Sequence, residues 1–101
     1  MSKQHPSPDW DIVRLELYVR SKGRCEFCGT SLKDDSRYAV HHRKLRAQGG
    51  GHEMENLALI HSRCHEWAHA NPARAYELGW MVRGWDEPAD VPIIVGSQLA
   101  E

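Results

Sequence analysis

Three cysteines occur in this chain, and their spacing limits the fold more than any other feature. Cys25 and Cys28 stand in "CEFC", a C-x2-C knuckle, and Cys64 follows His61 in "HSRC", an H-x2-C pair. Two such pairs of soft and borderline ligands make a Cys3His tetrahedral zinc site. Three cysteines cannot all pair as disulfides, so this usage suits metal binding in a reducing compartment. A four-ligand site of that kind is closed to substrate and serves the fold. A chain of 101 residues buries a limited share of its surface, so support from a metal is to be expected. His61 stands apart within the set, because a histidine at a strand end is often simply exposed.

Residues 61–69 read "HSRCHEWAH", which sets Cys64 among three histidines. On a helix, His65 and His69 at i,i+4 share a face. Cys64, one position before His65, lies about 100° around the axis. One flank of such a helix can serve the zinc while the adjacent flank serves a second ion. Upstream, "VHH" at 40–42 offers His41 and His42, and with His65 and His69 they make a second set. The same stretch also fits the H-E-x-x-H pattern of zinc metalloproteases, with Glu66 as general base. That reading needs a third protein ligand. The extended pattern calls for glycine and histidine where this chain has Pro72 and Ala75, and no motif supports a distant glutamate such as Glu77 or Glu87. It also leaves "VHH" without a role. Otherwise Glu66 is a surface residue of the helix.

Around these ligands the pattern predicts helix, knuckle, strand, loop, strand and helix. "SPDWDIVRLELYVRSKG" (7–23) reads as a helix capped by Ser7, with Pro8 in the first turn, Asp9 and Asp11 at the positive end and Gly23 just past the last turn. Trp10, Val13 and Leu17 recur at helical spacing, as do Ile12, Leu15 and Val19, and both sets are expected in the core. "RYAVHH" (37–42) and "LALI" (57–60) read as strands joined by the loop "RKLRAQGGGHEMEN". "HSRCHEWAHAN" reads as a helix ended by Pro72, and "PARAYEL" as a further helix stopped by Gly79. "WMVRGW" and "VPIIV" are expected to be strands, Trp80 and Trp85 to pack the C-terminal part onto the core, and "GSQLAE" to fray.

The net charge of −1 conceals an asymmetry. Residues 1–52 carry ten Lys/Arg against six Asp/Glu (+4), and residues 53–101 carry three against eight (−5). The basic excess is densest over 37–48, where Arg37, Arg43, Lys44 and Arg46 meet no acid. Beside a histidine pair, such a run is either a solvated loop or the seed of a phosphate-facing patch. "MSKQHPSPDW" lacks the apolar region of a leader, and no window approaches a membrane span. The expectation is a cytoplasmic protein with no membrane partner.

Taken in order, "VHH", Asn56 and "CHEWAH" resemble the HNH endonucleases, whose core is a ββα-metal fold. The resemblance covers about residues 10–70 and is strongest over "HHRKLRAQGGGHEMENLALIHSRCHEWAH". It implies a single α+β domain over 1–101: a ββα-metal core with an N-terminal helix, a structural zinc site and a C-terminal extension over 71–95. Most relatives with a knuckle have cysteine where this chain has His61. Carried over residue by residue, the resemblance makes His41 (a position often aspartate), His65 and His69 ligands of a catalytic divalent cation, whether Mg2+, Mn2+, Ni2+ or Zn2+. It makes His42 the general base and Asn56 a brace for the loop. Arg43, Lys44 and Arg46 would then neutralise flanking phosphates.

The implied activity is hydrolysis of double-stranded DNA to 5′-phosphate and 3′-hydroxyl ends, with no small-molecule substrate. The small size also resembles bacteriophage HNH proteins that assist genome packaging, which implies the cytoplasm of a bacterial or phage-infected cell and a terminase as partner. The alternative is a non-catalytic, zinc-stabilised nucleic-acid-binding module. Such a module needs cysteines and basic residues but not His41, His42, His65 and His69 together. One tension remains inside the sequence. Consecutive strand residues point to opposite faces, so His41 and His42 meet one phosphate only if the strand ends or twists there.

Overall fold

Asp9 opens the first helix, α1 (Trp10–Ser21), with its carboxylate accepting from the backbone N–H of Asp11 at 3.1 Å and of Ile12 at 3.4 Å. The computed structural model describes residues 9–34 and 37–93. Ser7 and Pro8, the expected cap and first-turn residue, lie outside them. Asp9 therefore serves as the cap instead of as a first-turn acid. At the other end Lys22 already takes the left-handed conformation (φ 59°), and Gly23 follows at φ 74° with its N–H returned to the Tyr18 carbonyl. Beyond α1 come β1 (Tyr38–His42), β2 (Leu57–His61), α2 (Ser62–Ala70) and α3 (Pro72–Leu78), with short 3-10 turns at Leu32–Asp34, Arg46–Gln48, Met54–Asn56 and Pro88–Asp90.

β1 and β2 pair antiparallel, with His41 opposite Ala58 and His42 opposite Leu57. All of β2 is buried, because α1 and α2 both pack against it. That explains why "LALI" is a continuous apolar run and does not alternate. With α2 against both strands the hairpin forms a ββα core within an α+β fold. α1 meets this small sheet with one flank only. Leu17 is fully buried and Trp10 and Val13 pack on the core, as the first apolar set predicts. The second set does not pack: Ile12, Leu15 and Val19 are 55%, 62% and 67% exposed. A two-stranded hairpin offers room for one side of a helix, not two.

The 14-residue connection between the strands is held by its own side chains. Asn56, fully buried, accepts from the Lys44 N–H at 2.7 Å and donates to the carbonyls of Lys44 (3.1 Å) and Gly51 (2.9 Å). A Cβ at Gly50 would collide with the Lys44 carbonyl, so the loop closes this tightly only with glycine there.

The segment 79–93 contains no strand, contrary to the expectation for "WMVRGW" and for the first part of "VPIIV"; Ile94 and Val95, like the "GSQLAE" tail, lie outside the described residues. Trp80, Met81 and Val82 are buried as irregular chain. Trp80 stacks at 4.9 Å from Phe27, which also meets Trp67 at 5.4 Å. The two tryptophans expected to behave alike do not: Trp80 is fully buried and Trp85 is 80% exposed. Among the described residues no helix is long and apolar enough to cross a membrane.

Candidate metal centres

The knuckle is positioned by Glu26. Its backbone N–H donates to the Leu59 carbonyl at 3.0 Å, and its carboxylate accepts the Leu59 N–H and a two-pronged contact from Arg20. Cys25 and Cys28 are thereby laid against the end of β2 and the first turn of α2, where His61 and Cys64 wait. Sulfur and nitrogen atoms of the four residues all lie within 4.8 Å of one another. His61 is fully buried, which removes the concern that it is merely a surface histidine.

The distances fit a zinc ion. A tetrahedron with Zn–S about 2.3 Å and Zn–N about 2.05 Å has S···S edges of about 3.8 Å and S···N edges of about 3.6 Å. Cys25 Sγ and Cys64 Sγ are 3.8 Å apart, and Cys28 Sγ and His61 Nδ1 are 3.5 Å apart. The neighbouring Cys64 sulfur, together with the N–H groups of Cys28 and His61, lowers the Cys25 pKa to about 4. His61 Nε2 is the one buried polar side-chain atom without a partner among the described residues, as befits a ring committed through its other nitrogen.

The second cluster lies on the adjacent flank of α2. His41, His65 and His69 bring one nitrogen each within 4.8 Å of the others. His41 Nδ1 and His65 Nδ1 are 3.0 Å apart, and the His65 and His69 rings are 4.5 Å apart. His41 Nε2 is 2.7 Å from the Trp80 carbonyl, an acceptor only, so this nitrogen carries the proton and Nδ1 presents a lone pair to the cluster. Ring orientation by an outer carbonyl is a general property of histidine ligands. Burial pushes the His41 pKa down to about 4 and, with His69, also lowers that of His65. Neutral imidazoles with convergent lone pairs are the form that binds a divalent cation. Three ligands leave an open position, whereas the four-ligand cluster is closed.

In the described structure the third partner of His65 and His69 is His41, not Glu77 or Glu87, and Glu66 is exposed. The metalloprotease pattern is thus met in sequence only.

His42 stands on the opposite face of β1. β1 ends at His42, as expected, but its ladder runs regularly through both histidines, so the alternation is kept. The His42 ring is half-buried beside Trp10, 6.0 Å away, and its Nε2 is 3.1 Å from Nδ1 of His52. Burial first, then the neighbouring charges of His52 and Arg46, lower its pKa.

The basic run divides. Arg43 is 2% exposed, and its guanidinium donates to the carbonyls of Gly79, Glu55, Pro88 and Val91. It ties the C-terminal segment to the loop and lies buried among carbonyls, where the sequence had led one to expect a phosphate contact. Lys44 is likewise held, with Nζ at 3.0 Å from the Asp86 carbonyl. Arg46 alone of the three is exposed. The reason is spacing: past the end of β1 the chain turns inward against Asn56, and only with the next 3-10 turn does it return to the surface.

Two contributors escape a reading of the sequence. His52 lies in the glycine loop, ten residues from His42, and only loop closure on Asn56 brings it back. The Trp80 carbonyl carries no side-chain signature at all.

The HNH endonuclease family model matches residues 25–71. No curated protein and no solved structure matches the chain. The matched segment runs from the first cysteine of the knuckle to the end of α2, so it takes in both ligand clusters, His42 and the Asn56-braced loop. The ββα-metal architecture, the two candidate metal clusters and this match agree that residues 25–71 are similar to the HNH endonucleases, a nuclease class that acts on nucleic acid with a bound metal.

Proposed function

We propose that the protein is a divalent-metal-dependent endonuclease that hydrolyses phosphodiester bonds of double-stranded DNA. The observation that carries this reading is the coexistence of two clusters of different character on adjacent flanks of α2. A closed set of Cys25, Cys28, His61 and Cys64 would hold structural zinc, and an open set of His41, His65 and His69 would hold the catalytic ion. A binding module stabilised by zinc would need the first set only.

The residues divide the chemistry as follows. His42, neutral at physiological pH, accepts the proton of the attacking water. His41, His65 and His69 would hold a divalent cation, which when bound would supply Lewis-acid stabilisation of the phosphoryl charge and the leaving 3′-oxygen. The Trp80 carbonyl keeps the His41 lone pair on the ion's side, and Asn56 holds the loop without touching the reacting atoms. Arg46 neutralises a flanking phosphate. With His41 and His42 on opposite faces of β1, the proposal has the scissile phosphate cross the edge of β1 that, among the described residues, is not paired with β2.

Incubation of the purified protein with supercoiled plasmid and Mg2+, Mn2+, Ni2+ or Zn2+ in turn tests the proposal. Relaxed or linear product that disappears with chelator and with His65→Ala is expected. Intact plasmid under every ion, with plasmid binding retained, would favour the non-catalytic module.

A further inference from the structure

A base is only as good as the lone pair it presents, and an imidazole has two nitrogens to choose between. His42 Nε2 lies 3.1 Å from His52 Nδ1, so one of these nitrogens carries the proton between them. His42 Nδ1 has no partner among the described residues and is not among their buried unpaired atoms. If His52 donated, the proton of neutral His42 would sit on Nδ1, and neither nitrogen would have a free lone pair. If His42 donates through Nε2–H, its Nδ1 carries an unshared pair toward open solvent. The placement of His52 is itself enforced: Trp10 meets its ring edge-on at 5.1 Å, and the loop that carries it is closed by Asn56 onto Gly51.

We propose that His52 is a positioning residue for the His42 base, and this rests on the reading of His42 as that base. His52 Nδ1 accepts the Nε2–H of His42, fixing the ring and leaving Nδ1 of His42 for the attacking water. As the water oxygen bonds to phosphorus, its proton passes to His42 Nδ1, the P–O3′ bond breaks and the 3′-oxygen takes a proton from solvent water. His42 is then an imidazolium with both N–H groups, still donating to His52, and no proton moves onto His52. A base oriented by a third group is a recurring arrangement in hydrolytic sites.

The test is steady-state plasmid nicking at saturating divalent ion by wild type, His42→Ala, His52→Leu, His52→Asn and His52→Gln, with tight-zinc content and thermal melting measured on each. The Asn side chain puts an amide oxygen near the place of Nδ1, and Gln does not. His52→Leu is expected to lower kcat by about 10–100-fold with KM and zinc content unchanged, the size usual for an outer-shell partner. His52→Asn is expected to regain most of that loss and His52→Gln little of it. Wild-type kcat in His52→Leu, with His42→Ala inactive, overturns the role of His52 and leaves His42 standing. Activity in His42→Ala overturns the base and this proposal with it. Should His52→Leu melt early, the Asn–Gln contrast decides, and equal rates in those two variants overturn the proposal.

Discussion

Arg43 is a cation buried among carbonyls, and its removal should cost the fold far more than it costs nucleic-acid binding. Four of its five N–H donors are used, by Gly79, Glu55, Pro88 and Val91, on three separate stretches of chain. Burial lowers its pKa only to about 10, so the charge persists at neutral pH. Hydrogen bonds to a charged group contribute about 1.5–3 kcal/mol each, but the guanidinium's own desolvation offsets much of their sum. Truncating one member of such a buried set costs about 3–5 kcal/mol. For a domain whose total stability is about 5–15 kcal/mol, that is about a fifth or more. Arg43→Met, which keeps most of the apolar stem, should therefore lower the melting temperature by about 12 °C or more, at about 4 °C or more per kcal/mol. Arg43→Lys should recover little, since one ammonium cannot reach carbonyls on both sides of the fork. Urea denaturation of zinc-saturated protein, followed by tryptophan fluorescence, measures the loss. A second measurement, the salt dependence of plasmid binding, should keep its slope at temperatures where the variant is folded. Stability within about 1 kcal/mol of wild type, with a slope reduced by about one unit, would show that Arg43 meets phosphate and that its inward position is wrong.

Three further outcomes follow from the two clusters and their surroundings. His61→Ala should release zinc and melt early, since metal binding is part of the folding free energy of a small domain, while His61→Cys should keep both; His69→Ala should keep zinc and melting point but lose cleavage, and the reverse pattern in metal content and nicking would mean the ligands are wrongly sorted. Because His42 acts neutral and its pKa is lowered below 6.5, cleavage at saturating metal should rise with pH to a half-maximum below 6.5 and be level by about pH 7.5; a rate independent of pH below 6.5 would remove a histidine base. Arg46→Ala should reduce the salt slope of DNA binding by about one unit without altering stability by more than about 0.5 kcal/mol, and casein should survive conditions that cut plasmid; proteolysis abolished by Glu66→Ala would restore the metalloprotease reading.

Much of the site could be read before any coordinates, because its ligands come in pairs whose spacing is locked by local geometry. A C-x2-C turn brings its two sulfurs together wherever it sits, and an i,i+4 pair of histidines shares a helix face regardless of what the helix packs on. The offset of Cys64 from His65 likewise follows from helical pitch, so the division of α2 between two clusters needed no tertiary information. The order β1, β2 and α2 was legible in the residue pattern, Asn56 as a loop brace came from the resemblance, and the structure's pairing and hydrogen bonds are of the kind expected.

Tertiary structure decided what long, flexible or backbone groups do. The sequence shows Arg43 only as one of four cations in a run. Whether such a side chain turns outward to phosphate or inward to carbonyls depends on what lies beneath it, and here that is a segment more than 35 residues away. Whether the Ile12, Leu15 and Val19 stripe is buried depended on how wide a sheet α1 would meet, and among the described residues that sheet has two strands. His52 reaches His42, and the Trp80 carbonyl reaches His41, through loop closure and through an irregular segment with no periodic signal. Spacing along the chain specifies which atoms can share an ion when a rigid turn connects them; once a loop intervenes, only the packed core determines which groups meet.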